Sequence, residues 1–519
     1  MLGSGTARGT TWTRGTTWTR RALALLAATL GGLVAAPGMA TAAPADSRVG
    51  TYLVRATPGH LTQVTRQLSD ARLHVLRILP SVQADVVRMT ATEAAAVGRS
   101  GVVVSVTADR PVSLAGHRTP HETVTETLAD VRRDIGADVL EQRGVTGQGV
   151  DVAVVDSGIA PVAGLADTQV LEGADFSTGS TSRFIDTYGH GTHLAGIIAG
   201  HGAGFRGVAP GARLVNVRVA DGQGRCEISQ VIEGIDWVVT HAHTGGRNIR
   251  VLNLAFGTES RQDYTVDPLA FAAEQAWHAG IVVVVSAGND GEHSRRLTDP
   301  ASDPYVIAVG AADTTGPVDQ VASFSSRGDG VRNPDVLAPG AHVASLRVPG
   351  SLVDTAFPAA RTPDGLFRGS GTSQAAAVTS GAVALLLDAH PELTADQVKA
   401  ALTGSALDLG ARARIQGAGL LDVGGADTAV PAGASQDFPV SDGSGSLAAS
   451  AGDPPGQGAG SGPEGQGWGG QGWGGQGWAG QGWGSQTWAG QTWAGQTWAG
   501  QSWAGQSWAS QGWLGVTWG

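Results

Sequence analysis

Val152-Ala-Val-Val-Asp156-Ser-Gly-Ile159 is an apolar run that ends on an acid and two small residues. Residues apolar on both faces in succession make a strand that must be covered from both sides, the condition met in a parallel sheet flanked by helices. The runs 214–219, 249–254 and 281–285 have the same character, while 228–240, 268–279 and 372–389 have helical length and period. Thr394-Ala-Asp-Gln397, ahead of Val398 and Leu402, carries the capping-box pattern that opens one more helix. This alternation predicts an α/β domain over residues 119–430, with a mostly parallel sheet and helices on both faces.

Three short segments supply, in chain order, an acid, an imidazole and a hydroxyl. Asp156 closes the first strand. His190 lies in Asp186-Thr-Tyr-Gly-His190-Gly-Thr-His193, where flanking glycines leave room beside the ring and an apolar helix follows. Ser373 lies in Gly369-Ser-Gly-Thr-Ser373-Gln-Ala-Ala-Ala377, at the start of another helix. A serine hydroxyl at its own pKa is a weak nucleophile, so it needs a base within hydrogen-bond reach and a third group to orient that base. His190 suits the base, and Asp156, at the carboxyl end of a buried strand, suits the orienting acid. The backbone N–H of Ser373, in a first helical turn, faces developing negative charge favourably. Each residue alone also has an ordinary reading, a strand end for Asp156 and helix caps for His190 and Ser373; order and context together favour the triad.

These segments, with Ser286-Ala-Gly-Asn289 as a fourth, resemble the active-site motifs of the subtilisin-like (S8) serine peptidases across residues 125–430. The resemblance implies a serine endopeptidase that acts on polypeptides through Asp156, His190 and Ser373 by way of an acyl-enzyme, with the Asn289 amide as second oxyanion donor. It further implies that segments 220–224 and 253–257 grip an extended peptide as an added strand. That makes Gly222, Gly224, Asn253, Ala255 and Gly257 substrate-binding residues, with Gly288 beside them. Three positions depart from the family: Ala255 replaces a usual serine, Gln374 a methionine and Ala377 a proline. His193 receives a packing role and Asp186 a place lining the cleft, against the plain reading of a solvated loop aspartate. No cofactor is implied; a structural calcium ion is compatible with the family, although Asp290, Asp303 and Asp329 are scattered.

The rest of the 519 residues flanks this domain. With 34 basic and 45 acidic side chains the net charge is −11, and no basic patch stands out, which argues against nucleic acid as a partner. The lone cysteine, Cys226, excludes an intrachain disulfide and reads as a small buried filler. Arg8, Arg14, Arg20 and Arg21 precede an apolar stretch at 22–34 and Ala40-Thr-Ala42, the pattern of a secretory signal over 1–42, too short to span a bilayer. Export to the cell exterior or surface follows from it.

Residues 43–118 show strand, helix, strand, helix, strand, a small α+β domain that resembles the inhibitor-type propeptides of the family and is expected to be ferredoxin-like. The resemblance implies a self-processed zymogen inhibited by its own propeptide. Residues 431–464 read as a Gly/Ser/Pro linker. From 465 to 519 no residue is charged, and tryptophan recurs every five residues from Trp468 to Trp518, eleven times. Five residues advance a helix by about 140° and alternate the faces of a strand, so neither element gathers these rings on one side. A low-complexity tail of aromatic platforms, suited to cell-wall or glycan contact, is the alternative centre of function: a surface-attachment protein.

Overall fold

The computed structural model describes residues 48–113, 116–117, 124–166, 169–177, 183–202, 204–294, 296–452 and 516–517. The expected signal segment, the boundary at 118 and nearly all of the tryptophan repeat lie outside the described residues.

A small domain comes first: β1 (Val49–Ala56), α1 (Leu61–Asp70), β2 (His74–Leu79), β3 (Ala84–Thr90), α2 (Ala91–Val97) and β4 (Val103–Ala108). Its antiparallel sheet runs β2-β3-β1-β4, the ferredoxin-like order. Sequence reading omitted β2, whose residues are half exposed on an edge strand and lack clean alternation. Thr90 opens α2 with a full capping box to Glu93.

Strand alternation splits this sheet between two cores. Val54, Val87 and Met89 pack with Leu61, Val64 and Leu68 of α1 in a small cluster. Leu53, Ala84 and Val86 point the other way and join the main core of the large domain. A short strand, β5 (Pro111–Ser113), then leaves the small domain.

The large domain is built on β6 (Asp151–Asp156), β7 (Val170–Asp175), β8 (Arg213–Arg218), β10 (Ile249–Leu254), β11 (Val282–Ser286), β12 (Ile307–Asp313) and β13 (Val336–Pro339), β9 being a separate edge strand at Arg225–Glu227. Its order is β7-β8-β6-β10-β11-β12-β13, and every one of these pairings is parallel. The helices that matter to the site are α3 (His190–Ala199), α4 (Ile228–His241), α5 (Pro268–His278), α6 (Thr372–Ala389) and α7 (Ala395–Ser405). Asp267 caps α5 by accepting from Leu269 N at 2.8 Å, with Pro268 at the first helical position. Thr394 forms the expected capping box of α7.

α6 is buried from Thr372 to Leu387, and it packs on α3, β10, β11 and β12. A helix apolar all round belongs in an interior, and small residues let it lie close to its neighbours. Gly381 is the tightest case: a methyl there would sit 2.6 Å from Val208 Cβ.

The chain does not become a free linker at 431. Residues 436–452 are fastened to the body and end in a short helix, α8 (Leu447–Ser450), whose Leu447 is fully buried in the main core. Composition hides this, because the segment docks through backbone groups and serines rather than through an apolar pattern. Gly381→Val should overpack the contact of α6 with Val208 and cost about 1–3 kcal/mol; equal midpoints in urea for variant and wild type would refute that packing.

Candidate active site

Asp156, the last residue of the central strand β6, is 1% exposed. The Nδ1–H of His190, first residue of α3, donates to its carboxylate, at 2.8 Å from Oδ1 and 2.9 Å from Oδ2. Ser157 N donates to Oδ1 at 2.7 Å. A carboxylate so placed fixes the ring through Nδ1 and would stabilise a proton on it. Gly191 follows the ring because a methyl there would run into Gly158 O and the Asp156 side chain.

Asp186 neither lines the cleft nor faces solvent. It is 1% exposed and accepts from Tyr188 N (3.0 Å), Gly189 N (2.7 Å), Thr192 N (2.9 Å), Thr192 Oγ1 (2.7 Å) and Ser157 Oγ (3.0 Å). Burial pushes its pKa up and these bonds pull it down, the burial effect being larger. Its work is to hold the turn that delivers His190 and to satisfy amides at the start of α3. Ser157 and Thr192, which sequence reading passed over, complete this network; Gly191 N donates to Ser157 Oγ at 3.0 Å.

Ser373 is fully buried as the second residue of α6, where a backbone N–H has no intrahelical acceptor. Its Oγ lies 3.4 Å from the carbonyl of Ala255, the residue just after β10. Because β10 pairs directly with β6, Ser373 sits at the strand end next to the one that holds Asp156 and His190. Asn289, three residues past the adjacent strand β11, reaches the same place: its Oδ1 accepts from Thr372 N (2.8 Å) and Thr372 Oγ1 (3.0 Å). Those two bonds fix the amide orientation. They leave Asn289 Nδ2 buried and without a hydrogen-bond partner among the described residues. Thr372 is the further residue not found from sequence; it holds the donor by its own backbone and hydroxyl.

The expected substrate-binding residues divide. Ala255 and Gly257 follow β10 at the site, and Gly288 meets Thr372 through its N–H at 3.2 Å. Gly288 has φ +107°, and a methyl there would sit 2.7 Å from Thr298 Cγ2. Asn253 is fully buried inside the sheet–helix interface, where its Oδ1 accepts from Ser380 Oγ of α6 at 3.0 Å; that position packs the helix and is no part of a cleft. Gly222 and Gly224 stand in a turn, with Gly224 at φ +71°, that leads into β9. β9 itself takes the added strand: β5 pairs with it antiparallel, Val112 opposite Cys226. Cys226 is 4% exposed and its thiol pKa is raised by burial, as expected of a filler. Both amide atoms of Gln374, the residue after Ser373, are buried without a hydrogen bond among the described residues.

No group of three or more His, Cys, Asp or Glu side chains among the described residues is arranged to hold a metal ion. One oxygen of Asp303 accepts from Tyr305 N at 2.8 Å and one of Asp329 from Val331 N at 2.8 Å, bonds made within their own turns.

The carboxyl ends of three adjacent strands thus carry an acid–imidazole pair, a helix-borne serine and a buried side-chain amide, at the edge where open α/β sheets place their sites. The family model for the subtilases (peptidase family S8) matches residues 147–419, and the chain belongs to this family. Serine protease AprX of Bacillus subtilis (strain 168) is 40% identical over 269 residues, covering 49% of this chain and 60% of that protein. Subtilisin E of the same strain is 36% identical over 293 residues, 56% of this chain and 68% of the relative. Among solved structures, fervidolysin from Fervidobacterium pennivorans, a keratinolytic enzyme related to subtilisin, matches with a TM-score of 0.57 at 26% identity, over 75% of this chain and 63% of that one.

His193, one turn into α3, is 1% exposed, and burial, with a smaller effect from His190, lowers its pKa to about 3. The unfolded value is about 6.5, so between these pH values the unfolded chain holds one proton more. Stability should therefore fall as pH drops through this window, by up to about 1.4 kcal/mol per unit from this residue. His193→Gln should flatten that slope relative to wild type in denaturation curves at pH 7, 6 and 5; identical slopes would refute a neutral buried ring.

Proposed function

We propose that the protein is a secreted serine endopeptidase, made as a zymogen whose small domain is an intramolecular inhibitor. The observation that carries the catalytic reading is Asn289 Nδ2, buried without a hydrogen-bond partner among the described residues and held by Thr372, next to Ser373, while Asp156 fixes His190 through Nδ1. Ser373 Oγ attacks the scissile carbonyl and His190 Nε2 takes its proton. The charge that develops on the carbonyl oxygen is met by the Ser373 N–H and the Asn289 amide, donors already in place. His190 then returns the proton to the leaving amine, and water repeats the sequence to release the acyl group.

The zymogen reading is supported by β5, which occupies β9 as an extended substrate would, and by the seat of the small domain on α4. Asp109 accepts from Ser229 N at 3.1 Å at the N-terminus of α4, and Ser81 N donates to Asp236 farther along it at 2.7 Å. The N-terminal pattern supports export, and among the described residues no helix is long and apolar enough to cross a membrane. The tryptophan repeat is read as a wall- or glycan-contacting tail.

A fluorophosphonate probe should label Ser373 of the processed protein, and Ser373→Ala should leave an unprocessed precursor; the enzyme reading is falsified if wild type neither labels nor matures. Asn289→Ala should lower kcat by about 10² to 10³, the loss characteristic of removing one oxyanion donor in a subtilisin-type site. Thr372→Val, which keeps the backbone bond to Asn289 and deletes the hydroxyl bond, should lower kcat less and leave KM nearly unchanged. A kcat equal to wild type would remove Thr372 from the site.

A further inference from the structure

The segment 436–452 does more than cover the large domain. Gln436 N donates to Asp396 (3.1 Å), Ser441 N to Glu274 (2.8 Å), Asp442 N to the Thr265 carbonyl (2.7 Å) and Gly445 N to the Val266 carbonyl (2.7 Å). Ser446 N donates to Gln262 (2.7 Å) and Ser450 Oγ to Asp267 (2.6 Å). So many directed bonds make it a strap with one position.

At its middle the strap meets the small domain. Arg55 of β1 is 4% exposed, and its guanidinium lies 4.1 Å from the centre of the Phe271 ring of α5. Gly443 closes the third side: a methyl there would strike Arg55 Nη1 and stand 2.9 Å from Phe271 Cβ. Burial lowers the pKa of this arginine to about 10, and the Asp442 charge partly offsets that. Nε and Nη1 have no hydrogen-bond partner among the described residues, so the cation is held by the ring, the glycine backbone and a neighbouring carboxylate. Farther on, α8 packs against β4 of the small domain and against α4 and α5 at once.

We propose that the carboxy-terminal strap is part of the receptor for the small domain, with Arg55 clamped between Phe271 and Gly443 as its latch. The strap therefore tightens the autoinhibited state, and departure of the small domain strips it of one of its two supports. This rests on the reading of the small domain as a propeptide, but its structural content does not need the peptidase to be active.

The test uses the full chain carrying Ser373→Ala, which keeps both domains covalently present, and follows amide hydrogen exchange of β1 and β4. Arg55→Ala and Gly443→Val should each raise exchange of those strands roughly tenfold, the scale of one desolvated cation–π contact. The double variant should add little to either single one. Exchange of β1 and β4 at the unsubstituted rate in both single variants overturns the proposal, as does full additivity. Should Gly443→Val prevent folding, Arg55→Lys, which keeps the charge and loses the flat face on Phe271, decides the case by the same readout. In the chain with Ser373 intact, the same substitutions should shorten the lag before activity emerges. If wild type never matures while the exchange arm succeeds, the peptidase reading fails and the latch stands.

Discussion

An eighteen-residue helix built mostly from alanine, serine, threonine, valine and leucine runs through the interior, and the rest of the molecule is arranged to surround it. Nothing along α6 carries charge until Asp388, whose carboxylate accepts three successive backbone N–H groups, those of residues 146 to 148, at 2.9 to 3.1 Å. Small side chains let β10, β11 and α3 approach closely, and the first turn of the helix is thereby pinned at the strand ends. Thr372 and Ser373 owe their positions to contacts spread over the following four turns. A buried helix is a stiff mount, so the hydroxyl and its neighbouring N–H keep a fixed relation to Asn289.

The same site concentrates buried polarity. Asp156, Asp186, His190 and His193 are all withdrawn from water, a costly arrangement unless every lone pair has a partner. Asp186 shows how the cost is met: one carboxylate absorbs the amides of a turn and of a helix start, and Ser157 links it to Asp156. The turn before His190 is rigid for that reason. Asn289 Nδ2, by contrast, has no hydrogen-bond partner among the described residues.

How much of this could be read from residues alone depended on where each partner lies. β10 and α6 have the residues their apolar runs predict, because both are covered on all sides and burial writes itself into composition. β2 and β7 carry no clear alternation because they are edge strands with polar, partly exposed positions; β2 pairs with β3 just after it, and β7 with β8 farther along the chain. The places of Asp156 at a strand end and of His190 and Ser373 in first helical turns are legible from the sequence, whereas the parts of Thr372 and Ser157 and the burial of Asp186 depend on hydrogen bonds closed only in three dimensions. The glycines at 222 and 224 drew attention to a turn, while the added strand is taken by the next three residues, whose side chains carry no special signature. The strap at 436–452 looked like a linker because its anchors are amides and hydroxyls meeting acids from elsewhere.

The two-faced sheet of the small domain carries a further implication. Leu53, Leu79, Val82, Ala84 and Val86 are kept dry by the neighbouring domain, leaving only one thin cluster beneath α1 and α2 as private interior. A unit of roughly 60 residues that lends one face of its sheet to another body is near the lower limit of independent folding. Once parted, it would unravel more readily than it could rebind and become digestible, so separation of the halves would run in one direction.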